Sequence, residues 1–280
     1  MSVVMDGKAV AAVLRGEVLA QAEKYKAEHG RKIGLAVILV GNDPASQIYV
    51  NNKIKACAEC GIESFHFTLP EDSKQEDVLE LIAKLNSDDK VQGILIQLPL
   101  PKHLDEITVT QAVAPKKDVD GFCYENVGKL VAGRPAVCSC TPYGVVYLLK
   151  YYGITIEGKK AVILGRSNIV GKPLAALLTN ENATVTLCHR KTPDIKEIAS
   201  KADILISAVG SPHFVTADMV KEGAVVVDVG INRTIERICG DVEFDEVSKK
   251  ASYITPVPGG VGPMTIASLM HNVIYLANVK

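Results

Sequence analysis

The sequence predicts an α/β protein of two domains, each built on a parallel sheet, the second of the type that binds dinucleotides. Three observations carry this prediction. Segments of helical periodicity alternate with short, wholly apolar runs at residues 33–40, 93–96 and 161–164, as in strands buried on both faces. A glycine-bearing turn, Gly165-Arg166-Ser167-Asn168-Ile169-Val170-Gly171, directly follows the third run. Between the halves lies a polar, turn-rich crossing, Pro115-Lys116-Lys117-Asp118-Val119-Asp120-Gly121.

The 280 residues are enough for two ordinary domains, and 48% hydrophobic content with a net charge of −1 argues against disorder and against a broad nucleic-acid surface. No apolar run nears the roughly 20 residues that span a bilayer. The N-terminal Met1-Ser-Val-Val-Met-Asp-Gly7 lacks the basic region and apolar block of a signal peptide. A cytoplasmic protein without membrane or nucleic-acid partners is expected. Seven cysteines do not suit a closed disulfide framework. Cys57 and Cys60 are spaced C-x-x-C, and Cys138 and Cys140 C-x-C, which raises the possibility of zinc. The second spacing is too short for a structural site, however, and the first lies in a helical pattern without turn residues. Free, buried thiols and no metal site are expected.

In chain order, residues 7–29 place Ala11, Leu14, Val18, Ala22 and Tyr25 at steps of three and four, and Gly30 ends that helix. A strand at 33–40 leads through Gly41-Asn-Asp-Pro44 into a helix from about 45 to 60, stopped by Gly61. Residues 63–69 alternate as a strand. Residues 75–86 put Val78, Leu81, Ile82 and Leu85 on one helical face. The strand at 93–97 closes in Leu98-Pro99-Leu100-Pro101. This order makes residues 1–120 the first domain. Thr141 reads as an N-cap and Pro142 as the first position of a helix running to about 151. Strands at 161–164, 184–187, 204–207 and 225–229 complete a second domain, 121–264. A last helix, 265–278, follows a flexible glycine stretch and returns to the first domain, to which 265–280 is assigned.

Gly165 permits a tight turn out of its strand, and Gly171 lets the next helix pack close to the sheet. The helix would aim its N–H groups and positive dipole end at a pyrophosphate. The pattern departs from G-x-G-x-x-G: Ser167 replaces the second glycine and the last comes one residue later. NAD-binding folds carry an acid roughly 20 residues past the glycines, holding the ribose hydroxyls. Here that region carries Arg190 and Lys191, and Arg166 sits in the turn. Cations there suit a 2′-phosphate, so NADP is expected over NAD.

Tyr49 and Lys53, four apart, share a helical face. A lysine desolvated in a closed cleft has its pKa drawn toward roughly 7–8, where it serves as an acid or base. The plainer alternative is a solvated face with Lys55. Gln97 ends a strand on the side where α/β sheets bind ligands, and offers an amide donor and acceptor, or it simply caps the sheet. Asp120 would accept two hydrogen bonds from an amino-pyrimidine edge, or is, with Asp118, a turn residue. Pro256-Val-Pro258-Gly-Gly-Val-Gly262-Pro263-Met-Thr265 combines prolines and glycines whose backbone can approach a flat ligand.

Tyr49-Val-Asn-Asn-Lys53, Gly93-Ile-Leu-Ile-Gln97-Leu-Pro-Leu-Pro101, Lys117-Asp-Val-Asp120-Gly, Gly165–Gly171 and Pro256–Thr265 resemble, in order along the chain, the motifs of the bifunctional methylenetetrahydrofolate dehydrogenase/methenyltetrahydrofolate cyclohydrolase family. The resemblance implies NADP-dependent oxidation of 5,10-methylenetetrahydrofolate to the methenyl cation, then hydrolysis to 10-formyltetrahydrofolate. It implies that Lys53 is catalytic in the hydrolytic step, that Tyr49 stacks on or orients the substrate, and that Gln97 tunes Lys53. Ser46 matches a further site position, and Asp120 would hold the pterin. Gly165, Arg166, Ser167, Arg190 and Ile231 would hold NADP, with Gly262, Pro263 and Thr265 in a loop beside the folate. It further implies an active site in a cleft between the domains, a homodimer and no metal. Cys123 stands where bacterial members often have His, and Arg190 where some have Ser. The competing readings are a shikimate-type NADP dehydrogenase and a non-catalytic folate- or nucleotide-binding protein.

Overall fold

A computed structural model describes residues 2–134, 136–234 and 238–279. The chain opens with β1 (Val3–Val4), α1 (Gly7–His29), β2 (Gly34–Val40), α2 (Pro44–Glu59), β3 (Glu63–Leu69), α3 (Gln75–Ser87), β4 (Gly93–Ile96), α4 (Glu106–Gln111) and α5 (Tyr124–Val131). It continues through α6 (Cys140–Tyr151), β5 (Lys160–Leu164), α7 (Gly171–Asn180), β6 (Thr184–Cys188), α8 (Ile195–Ala199), β7 (Ile204–Ser207) and β8 (Val225–Asp228). The last elements are β9 (Asn232–Arg233), β10 (Ile238–Cys239), α9 (Phe244–Val247), β11 (Tyr253–Ile254) and α10 (Val261–Asn278). The chain divides into two compact units. One holds residues up to Ala12 and Ser139–Thr265, the other Val13–Cys138 and the chain from Ile266 on.

The second of these units carries a parallel sheet of order β3-β2-β4, with Leu35 opposite both Ser64 and Gly93. Every residue of β2 is buried, which explains its unbroken apolar run. β3 lies at the edge, and from His66 its exposed positions alternate with half-buried ones while Ser64 and Phe65 are both half-buried. α3 lays Val78, Ile82 and Leu85 into the core formed with Ala36, Ile38, Ile94 and Ile96. Each such side chain contributes roughly 1.5–3 kcal/mol of burial. Beyond β4 the sheet is extended by one parallel bridge, Ile94 to Asp118. The other unit holds a six-stranded parallel sheet of order β1-β11-β8-β7-β5-β6, beside the antiparallel pair β9–β10.

Several details differ from expectation. The division falls at Cys138, not at residue 120. The Asp118 carboxylate takes hydrogen bonds from Gly121 N (3.0 Å), Cys123 N (2.8 Å) and Asn126 Nδ2 (3.1 Å), and Asn272 Nδ2 reaches Cys138 O at 2.8 Å. These bonds hold 121–138 to the three-stranded unit. The first residues join the six-stranded unit because β1 pairs with β11 and Met5 N donates to Ile254 O at 2.8 Å. α6 begins at Cys140 after Ser139, so Thr141 is not its N-cap; Pro142 still lies in the first turn, where a missing N–H costs nothing. α10 starts at Val261, four residues before the expected Thr265. Gly262 and Pro263 therefore lie in the first helical turn and Thr265 at the start of the next, not in a loop. Lys280, at the end of the expected final segment, lies outside the described residues. The cysteines are all buried thiols outside any disulfide. Burial pushes Cys57 to about 12 and Cys60 to about 11, which keeps both as unreactive thiols.

Candidate active site

In the three-stranded unit, the parallel strands bring their C-terminal ends to one edge of the sheet. α2 starts four residues after β2 ends, with Asp43 as N-cap accepting from Ser46 N at 2.7 Å. Ser46 is thereby buried in the first turn, Tyr49 follows with 41% of its surface open, and Lys53 stands one turn further, half-buried. Gln97 is the first residue after β4 and is 6% exposed. Its Nε2 donates to Leu98 O at 2.6 Å, which leaves Oε1 to accept from Lys53 Nζ at 2.9 Å. The lysine is thus tethered in the site and does not belong to a solvated face.

Asp120 lies two residues past the Asp118 bridge, on the same edge of the sheet. Part of its surface is open, yet its carboxyl is desolvated, which pushes it up to about 7. The Lys53 charge pulls the opposite way, and the Asp118 charge adds to the rise. The structure therefore brings Lys53, Gln97 and Asp120 together, with Tyr49 on the same helix.

The segment bearing Asp120 is fastened by residues to which the sequence reading gives no site role. Lys117 Nζ donates to Leu85 O (2.9 Å) and Asp88 O (2.7 Å) at the end of α3. Asn272 Nδ2, from α10, holds Val119 O at 2.8 Å. Gly93 leaves room for Val119, whose Cγ1 would lie 2.4 Å from a Cβ at that position. Gly93, Lys117, Asp118 and Val119 lie within the motifs quoted above, whereas Asn272 lies in an ordinary helical pattern.

In the six-stranded unit, Gly165 follows β5 with φ +117°, and an added Cβ would sit 2.3 Å from Ala208 O. A Cβ on Gly171 would lie 2.0 Å from Gly165 O, so both glycines are required by close backbone approach. Ser167 Oγ accepts from Val170 N at 3.2 Å, close to the start of α7. Gly165 N donates to Cys188 O at 2.9 Å, which joins this turn to the end of β6, two residues before exposed Arg190. Arg166 and Ser167 are exposed as well. A glycine-lined cradle at a helix start, flanked by two open guanidiniums, fits a phosphorylated dinucleotide. Ile231 follows β8 and is 50% exposed, and Gly262 faces it across a gap of 3.7 Å measured from a Cβ at Gly262. Thr265 Oγ1 pairs with Thr141 Oγ1 at 2.9 Å.

The sequence pattern of the tetrahydrofolate dehydrogenase/cyclohydrolase catalytic domain matches residues 5–120, and that of the family's NAD(P)-binding domain matches 139–280. The curated bifunctional protein FolD of Lachnoclostridium phytofermentans is 54% identical over 276 residues, covering 98% of this chain and 98% of its own. The crystal structure of FolD methylenetetrahydrofolate dehydrogenase/cyclohydrolase from Campylobacter jejuni superposes with a TM-score of 0.97 at 51% identity, covering 99% of each chain. The Trypanosoma brucei methylenetetrahydrofolate dehydrogenase-cyclohydrolase, solved with NADP cofactor and an inhibitor, gives 0.93 at 40% identity over 98% of this chain and 97% of its own. Shikimate dehydrogenase of Aquifex aeolicus, at 0.52 and 14% identity over 85% of this chain and 90% of its own, shares the fold alone.

Proposed function

The chain belongs to the tetrahydrofolate dehydrogenase/cyclohydrolase family, and from that premise we infer the chemistry of its site. The protein is a bifunctional one-carbon folate enzyme. It oxidises 5,10-methylenetetrahydrofolate with NADP and hydrolyses the resulting 5,10-methenyl compound to 10-formyltetrahydrofolate. The shikimate-type and non-catalytic readings give way to this one.

The observation that carries the site assignment is the tether from Lys53 Nζ to Gln97 Oε1, beside Asp120. Gln97 Oε1 receives one N–H of Lys53 whether the amine is charged or neutral. In the neutral amine the lone pair then points away from Gln97, free to take a proton from water. That water adds to the cationic methenyl carbon as one of its protons passes to Lys53; the bond from that carbon to N5 then breaks while the remaining hydroxyl proton moves to N5, which leaves the formyl group on N10. A neutral amine avoids the repulsion that an ammonium would exert on this cation. Tyr49 supplies an aromatic face for the flat folate, and Ser46 lines the site about one turn earlier on the same helix. Asp120 accepts from the amino-pyrimidine edge of the pterin.

Bound NADP supplies the hydride acceptor. Gly165, Arg166, Ser167, Arg190 and Ile231 hold it, with Arg190 and Arg166 selecting the 2′-phosphate. Gly262, Pro263 and Thr265 complete the folate surroundings. We further propose a homodimer, checked by light scattering, and a cytoplasmic location without nucleic-acid partners. Among the described residues no helix is long and apolar enough to cross a membrane.

One spectrophotometric experiment tests this. Purified protein with methylenetetrahydrofolate and NADP is followed for NADPH and for the methenyl compound together. Wild type is expected to form NADPH with little methenyl accumulation. Lys53→Met is expected to lose hydrolysis by about 100-fold or more while NADP affinity persists. Hydrolysis at the wild-type rate would remove Lys53 from the mechanism.

A further inference from the structure

Asp241, just past β10, is fully buried and belongs to none of the motifs assigned above. Its Oδ2 accepts from Ser207 Oγ (3.1 Å), Val209 N (2.8 Å) and Gly210 N (3.2 Å). Its Oδ1 accepts from Ser211 N (3.0 Å) and Asn232 Nδ2 (2.9 Å). Three successive backbone N–H groups converging on one anion make the concavity that elsewhere binds a phosphate; here an internal carboxylate fills it. A buried carboxylate needs such partners, and hydrogen bonds to an ion are the strong ones.

The position of this cluster matters. Val209–Ser211 leave the C-terminal end of β7, and Asn232 is next to Ile231, just past the C-terminal end of β8. Those strand ends are where parallel sheets of this type seat a dinucleotide. Ala208, adjoining the clamped turn, presents the carbonyl that Gly165 must accommodate. Asp241 is itself anchored: its N–H donates to Asp228 Oδ1 at 3.0 Å, and Val242 N to Asp228 Oδ2 at 2.8 Å. Asp228 Oδ1 also takes Gly230 N at 2.9 Å. A Cβ on Gly230 would lie 2.2 Å from Asp241 Oδ1, so the cofactor loop is shaped to lie against this carboxylate.

Building on the cofactor assignment above, we propose that Asp241 is a positioning residue for NADP. It clamps the loops after β7 and β8 in the conformation that seats the dinucleotide, and it takes no part in water addition. Hydrolysis of the methenyl compound does not consume NADP, so the enzyme carries its own control.

The test is Asp241→Asn. The amide keeps the size but offers one oxygen, so its NH2 group must face backbone N–H donors. NADP KM and Kd are expected to rise about tenfold or more. The kcat and KM for methenyl-tetrahydrofolate hydrolysis are expected to stay within about twofold, with a cooperative melt. Unchanged NADP affinity in the folded variant, or both activities falling in proportion, would overturn the proposal. Should this variant not fold, Asn232→Ala removes one donor to the carboxylate from the cofactor loop. NADP Kd is then expected to rise about threefold, and an unchanged Kd overturns the clamp. Wild-type protein that binds NADP without turnover would refute the enzymatic reading instead, and the Kd comparison would still decide the clamp.

Discussion

Asp120 shows most directly how a single residue ties chemistry to stability. Its carboxyl is held at about 7, above the usual 3.8, chiefly by desolvation. Between about pH 4 and 7 the folded chain therefore keeps a proton that the unfolded chain has lost. Stability falls as pH rises through that window and flattens above it. Asp120→Asn removes this cost, so its stability advantage over wild type is expected to grow by about 1–2 kcal/mol from pH 4.5 to 7.5. Denaturation curves at the two pH values measure it, and an advantage independent of pH would show that the carboxyl titrates normally. Arg190 carries the corresponding argument for the cofactor. It is exposed two residues past β6, and the role proposed for it is to meet the 2′-phosphate, a group that NAD lacks. Arg190→Ala is expected to raise KM for NADP about tenfold and leave NAD use nearly unchanged. Equal losses with both cofactors would make the residue structural.

At the scale of elements, close backbone approach decides what the site can tolerate. Gly93 opens β4, and a methyl group there would meet Val119 Cγ1 at 2.4 Å, next to Asp120. Gly93→Ala is expected to cost about 1–3 kcal/mol and to slow hydrolysis more than it raises KM for NADP. Thermal melts and the two assays check this; an unaltered hydrolysis rate would mean that Val119 yields without moving Asp120. Long elements were legible in the sequence because their periodicity or apolar runs are long. α1, β2, α2, β3 and α3 all lie within a residue or so of where the pattern puts them. α4, α5, α8 and α9, of eight residues or fewer, carry too little periodicity, and two-residue strands such as β1 carry none. The start of α10 was missed because Gly262 and Pro263 look like loop residues, although a proline fits a first helical turn. Within the site, Lys53, Gln97 and Asp120 were visible through family motifs. Asn272 and Asp241 were not, because a buried amide or carboxylate acquires its meaning from partners distant in sequence.

At the scale of the molecule, each unit is assembled from segments that are not neighbours in the chain. The three-stranded unit has all its strands by residue 96, yet α10 supplies Val273, packed near Gly93, and the Asn272 amide that holds Val119 and Cys138. During synthesis at roughly 5–20 residues per second, that core must therefore wait many seconds on the ribosome, partly uncovered, for its last helix. A chain truncated at residue 260 is expected to leave segment 13–138 open to protease while the full chain resists; protection of that segment in the truncated chain would sink the idea. The interleaved threading thus makes the emergence of α10, more than folding of either half, the moment at which the enzyme escapes the reach of chaperones.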